Sequence, residues 1–268
     1  MNKKLYLGTN TKMYKDIQQT VSFLRELGDL TYDISRDEAE LFVLPSFTAL
    51  DAAGRAARES GIRLGAQNIA WEDEGPFTGE ISAPMLLETG VEIAEIGHSE
   101  RRHVLGETDE MENAKVRTAL RHGMIALLCI GETKMQRDHQ IADETLRTQL
   151  KLDLHGVQAA EAAEKLWVAY EPVWAIGVGG EPASAAYAET RHQVIRRTLC
   201  ELLGEKAGQA VPILYGGSVN LMNAAELILQ PHIDGLFIGR SAWQATGYSA
   251  IAHMVLPLFR EKSSSQIE

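Results

Sequence analysis

The chain has 268 residues, 45% of them hydrophobic, and a formal net charge of −11. This composition is typical of a globular protein, and the acidic balance argues against nucleic acid, which needs a basic surface. No apolar run reaches the roughly 18 residues of a membrane span. The short apolar run after Met1 ends too early for a secretory signal. We therefore expect a cytoplasmic protein that binds neither nucleic acid nor membrane.

Strand and helix patterns alternate along the chain. Apolar runs suited to buried strands occur at Leu5–Gly8, Glu40–Leu44, Arg63–Ala66, Val91–Ile96, Met124–Ile130, Leu166–Tyr170, Val211–Tyr215 and Gly235–Ile238. Helical spacing lies between and after them, at Ile17–Leu30, Ala49–Ser60, Asp109–His122, Asp143–Ala163, Ala185–Leu203, Leu221–Gln230 and Tyr248–Phe259.

These patterns predict an α/β fold, a single (β/α)8 barrel over residues 1–260 with a frayed polar tail over residues 261–268. Near-continuous apolar strands indicate burial on both faces, as in a parallel sheet. Eight βα units in about 250 residues are typical of the closed barrel. An open, doubly wound sheet is the alternative, but it favours a glycine-rich turn after the first strand, where this chain has Thr9–Lys12.

The stretch after the sixth strand suits a base beneath a movable loop. The apolar run brings one carboxylate, Glu171, to the end of its strand. Pro172 then ends the ladder because it has no N–H to donate. Three glycines and a second proline follow by residue 182. A carboxylate followed by such a loop is typical of a general base that a closing loop covers.

The other candidates also follow strand ends, which meet on one rim of a barrel. Taken singly, each has a structural explanation as a helix cap, a tight turn or a solvated side chain. Their placement on the same rim favours a shared site. The candidates are Asn10, Lys12, His98, Glu100, Glu171, the turn Gly216–Ser218, Gly239 and Arg240.

Three further groups receive structural interpretations. His98, Glu100 and His103 match neither a helical metal pair nor a zinc signature, so we expect no metal site. The acidic cluster Glu107–Glu112 reads as a helix N-terminus with a solvated face. His192, Arg196 and Arg197 read as a solvated basic stripe on a helix, and the two cysteines, too few for a disulfide framework, as free thiols.

The residues resemble the triosephosphate isomerase family over nearly the whole chain. The most specific motifs surround His98 and Glu171. The resemblance is carried by Asn10-Thr11-Lys12-Met13, Gly65-Ala66-Gln67-Asn68, Phe77-Thr78-Gly79-Glu80, Ile96-Gly97-His98-Ser99-Glu100-Arg101-Arg102, Cys129-Ile130-Gly131-Glu132, Ala169–Gly177, Tyr215-Gly216-Gly217-Ser218-Val219 and Asp234-Gly235.

The resemblance implies a role for each acid–base residue. Glu171 removes a proton beside a carbonyl and returns it to the neighbouring carbon, and a neutral His98 polarises the enediolate oxygens. Lys12 supplies positive charge, Asn10 donates nearby, and Glu100 pairs with Lys12.

The resemblance also implies how the substrate is held. The substrate is a small phosphorylated sugar, and no metal or organic cofactor is required. A loop from Pro172 to about residue 183 closes, so that the N–H of Gly177 reaches the phosphate. Ser218 and Gly239 complete the phosphate cradle. A homodimer is expected, with the loop at residues 77–79 entering the neighbour.

Three positions depart from the family pattern. Thr11 stands where the family usually has tryptophan, which removes a large aromatic near the site. The lid reads Gly177-Val178-Gly179-Gly180 in place of Gly-Thr-Gly-Lys. Gly239-Arg240 replaces a usual Gly-Gly, so a guanidinium is available either to clamp the phosphate or to point outward and pair with an acid.

These changes leave the acid–base set intact and alter the walls of the site. The first expectation is the triosephosphate isomerase reaction of dihydroxyacetone phosphate and D-glyceraldehyde 3-phosphate, which serves glycolysis and gluconeogenesis. The alternative is interconversion of L-erythrulose 1-phosphate and D-erythrulose 4-phosphate in tetritol catabolism, with the same catalytic residues. A more remote alternative is a catalytically idle, phosphate-binding barrel.

Overall fold

The structure, a computed structural model, describes residues 4–177 and 180–265. Eight parallel strands lie in chain order and close on themselves, because the first pairs with the eighth. The predicted (β/α)8 barrel is therefore confirmed. The strands are β1 (Leu5–Asn10), β2 (Ala39–Leu44), β3 (Arg63–Ala66), β4 (Ile93–Ile96), β5 (Ile125–Ile130), β6 (Leu166–Tyr170), β7 (Ile213–Tyr215) and β8 (Gly235–Phe237).

Twelve α-helices connect or follow these strands within the described residues. They are α1 (Ile17–Leu30), α2 (Leu50–Ser60), α3 (Ala83–Glu88), α4 (Ser99–His103), α5 (Asp109–Arg121), α6 (Lys134–Asp138), α7 (Ala142–Asp153), α8 (Ala159–Lys165), α9 (Ala185–Leu203), α10 (Glu205–Ala210), α11 (Ala224–Ile228) and α12 (Ala245–Ser265). None of the described helices is long and apolar enough to cross a membrane.

Side chains fill the inside of the barrel, so it is a packed core. Successive residues of a strand point to opposite faces, and the inward set forms one apolar cluster that includes Phe42, Ile93, Leu127, Trp167 and Phe237. The rings of Phe42 and Trp167 lie 5.4 Å apart between centroids. This filled interior leaves the ends of the strands as the place for a site.

The helices differ from the sequence prediction most clearly in two regions. The helix expected over residues 143–163 is two helices, because Gly156 adopts φ of +75° between them and few residues other than glycine tolerate that conformation. The tail expected to fray from residue 261 is helical through Ser265. The Nζ of Lys262 donates to the carbonyls of Ile228, Gln230 and Ile233, which holds the end of α12.

Two groups of charges expected to be solvated are buried. Arg196 is 6% exposed, and its guanidinium donates to Asp234 at 2.6 Å and to the carbonyl of Val211 at 2.6 Å. His192 is fully buried, and burial lowers its pKa to about 3. Only Arg197 of that stripe has a largely exposed side chain, at 65%.

The acidic cluster at the start of α5 is likewise partly internal. Glu112 is fully buried and lies 3.8 Å from the Nζ of Lys115, which is buried as well. Lys115 also forms an ion pair with Glu107 and donates to Asn68 at 2.9 Å. A buried charge requires such partners, which the local charge pattern in the sequence did not reveal.

Candidate active site

One cavity of about 410 Å³ opens at the carboxyl ends of the strands. All nine site residues named from the sequence line it, although they come from five separate parts of the chain. They are Asn10, Lys12, His98, Glu100, Glu171, Gly177, Ser218, Gly239 and Arg240. The structure therefore brings the whole predicted set together.

Glu171 is held at the end of β6 with its carboxylate turned toward α4. Its Oε2 accepts a hydrogen bond of 2.9 Å from the backbone N–H of Ser99, and its Oε1 lies 3.3 Å from Nε2 of His98. A Cβ at Gly131 would lie 1.8 Å from the carbonyl oxygen of Glu171, and one at Gly216 would lie 3.1 Å from its Cγ. A side chain at position 131 would therefore displace the backbone of Glu171, and one at position 216 would crowd its side chain.

His98 caps the N-terminus of α4 with its ring. Its Nδ1 accepts a hydrogen bond of 3.2 Å from the backbone N–H of Glu100. Burial lowers the pKa of His98, but the carboxylates around it, chiefly Glu171, outweigh burial and raise the pKa above its ordinary value. The cap opposes that rise because only an unprotonated Nδ1 can accept. This geometry favours a neutral ring whose proton is on Nε2, facing Glu171.

Lys12 is fixed at both its backbone and its ammonium group. Its φ of 51° lies in the left-handed region, which is uncommon for a side chain of this size. Its N–H donates to Oδ1 of Asn10 at 2.6 Å, and its carbonyl accepts from Gln67 at 3.0 Å. Its Nζ is 2.6 Å from Oε1 of Glu100. The cation is thus directed into the cavity at a cost in backbone strain.

The turns after β7 and β8 form the opposite wall. The carbonyl of Ser218 accepts from Nδ2 of Asn223 at 2.8 Å, which orders the first turn. Gly239 precedes a single 3₁₀ turn, Arg240–Ala242. Arg240 is exposed and lines the cavity. Backbone N–H groups at such turns, together with a guanidinium, suit an anion.

Glu132 anchors both ends of the loop that was predicted to close. Its carboxylate accepts from the hydroxyl of Tyr170 before the loop, from Nε1 of Trp174 at 2.7 Å at its start, and from the hydroxyl of Tyr187 at 2.9 Å after it. Gly177 has φ of +88° and an exposed backbone. The lid departs from the family pattern at Val178 and Gly180. Val178 and its neighbour Gly179 lie outside the described residues, whereas Gly180 is described.

Sequence reasoning missed two aromatic residues on the cavity wall. Tyr14 and Trp243 line it, with ring centroids 4.5 Å apart, and Nε1 of Trp243 donates to the carbonyl of Asn10 at 2.9 Å. Thr11, which replaces an aromatic, is buried. Aromatic surface is therefore present near the site, but it comes from other positions. The available signal was that Trp243 follows Gly239, the glycine just after the last strand, by four residues.

A carboxylate, an imidazole and an ammonium group around one cavity are the groups that an enzyme needs to transfer protons beside a carbonyl. No group of three or more potential metal ligands occurs among the described residues. The family model for triosephosphate isomerase matches residues 5–255. The chain therefore belongs to the triosephosphate isomerase family, whose members isomerise small phosphorylated sugars.

Individual relatives share nearly the full length of the chain. It is 46% identical over 263 residues to an L-erythrulose-1-phosphate isomerase of Rhizobium etli, covering 98% of this chain and 96% of the relative. It is 45% identical over 252 residues to the enzyme of the same name from Rhizobium meliloti, covering 94% and 96%. A third, from Mesorhizobium japonicum, is 46% identical over 243 residues, covering 91% and 94%.

Proposed function

We propose that this protein interconverts L-erythrulose 1-phosphate and D-erythrulose 4-phosphate. The observation that carries the proposal is the near-complete match, at 45–46% identity, to relatives named for the first of these compounds. The triose reaction, which the sequence suggested first, keeps support only at the level of the family. The four-carbon alternative is therefore the better supported of the two.

In the proposed reaction the Glu171 carboxylate takes the proton from C3 of L-erythrulose 1-phosphate. The electron pair of that C–H bond forms the C2–C3 double bond, and the C2 carbonyl oxygen becomes an enediolate oxygen. The Nε2 proton of His98 passes to that oxygen, and the ring regains a proton from the hydroxyl on C3. Glu171 then returns its proton to C2, which leaves the carbonyl on C3. Each step uses a group already at the cavity.

The other residues hold charge and exclude water in this proposal. The Lys12 ammonium stabilises the phosphate and the developing oxyanion, and Asn10 donates beside it. The N–H groups of Gly177, Ser218 and Gly239 hold the phosphate. A preorganised donor of this kind contributes about 3–4 kcal/mol to the transition state. The closing loop keeps the enediolate from water and from loss of phosphate.

The test compares kcat/KM for the two erythrulose phosphates with kcat/KM for D-glyceraldehyde 3-phosphate. We expect a preference for the four-carbon substrates of at least about tenfold, since one extra carbon is worth roughly 10–200-fold in a fitted pocket. A triose preference above about 100-fold would retire the tetrose assignment. Absence of turnover on every one of these substrates would instead favour the idle, phosphate-binding barrel.

We also propose a cytoplasmic homodimer. Three apolar side chains near the site are strongly exposed in the single chain: Met13 at 93%, Val104 at 77% and Leu105 at 63%. A second copy would cover them, with the loop at residues 77–79 entering its neighbour. Sedimentation of the wild type should give twice the mass of one chain, whereas Thr78→Arg should sediment as a single chain. Ile141→Asp, away from this surface, is the control and should sediment like the wild type. Single-chain mass for the wild type would refute the dimer, and cell fractionation tests the compartment.

A further inference from the structure

Glu95 is a buried carboxyl directly beneath the site, and the proposed proton transfers do not use it. It is fully buried on β4. Ile93, two residues earlier, belongs to the cluster inside the barrel, so strand alternation directs Glu95 into the barrel interior as well. An unpaired carboxylate here would be strongly destabilising. Its presence inside an apolar barrel therefore calls for a role.

The contacts of Glu95 lead to the site. Its Oε2 accepts a hydrogen bond of 2.6 Å from Nδ2 of Asn10, and its Oε1 lies 3.9 Å from Sγ of Cys129. Burial raises the pKa of Glu95 to about 7; the His98 ring opposes this rise and the negative charge of Glu171 adds to it. Glu95 can therefore exchange a proton in the neutral range, in contact with the groups that line the cavity.

Asn10 links Glu95 to Lys12 through two hydrogen bonds. The Asn10 amide donates to Glu95 on one side and accepts the N–H of Lys12 on the other, at 2.6 Å each. Rotating this amide would break both bonds at once, because nitrogen and oxygen would exchange places. The second bond supports Lys12 in its left-handed conformation, with φ of 51°. Glu95 therefore selects the amide orientation that holds the cation.

We propose that Glu95 is a positioning residue of the isomerase site, acting through Asn10 on Lys12 and through its charge on His98 and Glu171. The groups that face it are Asn10 and Lys12 from β1 and its loop, His98 from the end of β4, Cys129 from β5 and Glu171 from the end of β6. When Glu95 loses its proton, a second carboxylate stands beside Glu171. This added charge disfavours both the anionic substrate and the enediolate.

The first variant is Glu95→Gln, which keeps an acceptor for Asn10 but cannot ionise. For the wild type, kcat/KM should fall at least about threefold between about pH 6.5 and 8.5 as Glu95 ionises. In Glu95→Gln this fall should be absent. A role confined to packing would leave the two pH profiles parallel.

The second variant is Glu95→Leu, which removes the acceptor as well. Asn10 then loses the bond that orients its amide, so KM for the phosphorylated substrate should rise about tenfold or more, and Glu95→Gln should largely restore it. If Glu95→Leu fails to fold, the pH profile of Glu95→Gln tests the proposal alone.

Glu112→Gln is the matched control. Glu112 is another fully buried carboxyl, and burial raises its pKa to about 7 as well, but it lies on α5 beside Lys115. Its replacement should leave the pH profile of kcat/KM as in the wild type. The proposal is overturned if Glu95→Gln keeps the wild-type profile, or if Glu112→Gln alters the profile as Glu95→Gln does.

Discussion

The backbone N–H of Ser99 donates a hydrogen bond of 2.9 Å to Oε2 of Glu171. The carboxylate is thereby held against the first turn of α4, with its other oxygen 3.3 Å from Nε2 of His98. To act as a base it must leave the Ser99 N–H for a carbon of the substrate.

Replacing Glu171 by glutamine should abolish proton transfer while preserving the fold. The amide has the same shape but no basic oxygen, so kcat should fall at least about 10³-fold. Steady-state kinetics with L-erythrulose 1-phosphate, together with thermal unfolding, measures both effects. Glu144→Gln, on the exposed face of α7, is the control and should match the wild type. Full activity in Glu171→Gln would remove this residue as the base.

Replacing Lys12 by methionine should mainly destroy substrate binding. The apolar side chain keeps the volume but removes the ammonium that faces Glu100 at 2.6 Å. We expect KM and the inhibition constant of inorganic phosphate each to rise about 100-fold or more. Lys134→Met serves as the control because that exposed lysine, within the described part of the chain, forms its ion pair with Asp138 on its own helix. Unchanged phosphate affinity in Lys12→Met would count against the assigned cation.

Replacing Arg240 by glycine should weaken anion binding if its guanidinium clamps the phosphate. Arg240 lines the cavity beside Gly239. We expect phosphate affinity to fall about tenfold, with Arg240→Lys intermediate because an ammonium lacks the two-pronged geometry. Inhibition by inorganic phosphate at two ionic strengths is the measurement. Equal affinity in wild type and both variants would place the guanidinium outside the phosphate site.

Replacing Arg196 by methionine should destabilise the barrel without changing its chemistry. The buried guanidinium joins α9 to Asp234, whose carboxylate also accepts the N–H of Ile213 in β7. Removing the cation that pairs with this buried carboxylate should lower the free energy of unfolding by about 3–5 kcal/mol. Urea denaturation measures this change. Arg197→Met, on the exposed face of the same helix, should unfold like the wild type, and equal midpoints for the two variants would contradict the argument.

The barrel and its catalytic rim were predictable because both rest on local pattern. Apolar strand runs repeat eight times, and the residue after each run falls on the same rim whatever the details of packing. Glu171 and His98 needed no more than that rule. Glu95 did not follow from it, because the run Val91–Ile96 contains two acids, Glu92 and Glu95, and the pattern alone does not reveal which of them faces the barrel interior.

The burial of the charged residues on α5 and α9 was not predicted for a related reason. The partner of Arg196 is 38 residues away, and the contact of Lys115 with Asn68 spans 47 residues. A helix with charges at regular spacing looks solvated when only its own sequence is considered, because burial of an ion becomes favourable only once a distant partner arrives. Gly156 could be seen in the sequence, but the sequence alone did not show that it separates two helices. That separation follows from the return of the chain toward β6.

Glu132 holds the segments on either side of the loop through Trp174 and Tyr187. We therefore expect the exposed part of the stretch between these two anchors to accept other sequences, whereas its buried ends at Ala175 and Ala183 must be kept. Loops with different tip sequences could be grafted onto this one barrel. Comparing the substrate preferences of such variants would separate the contribution of the loop from that of the barrel.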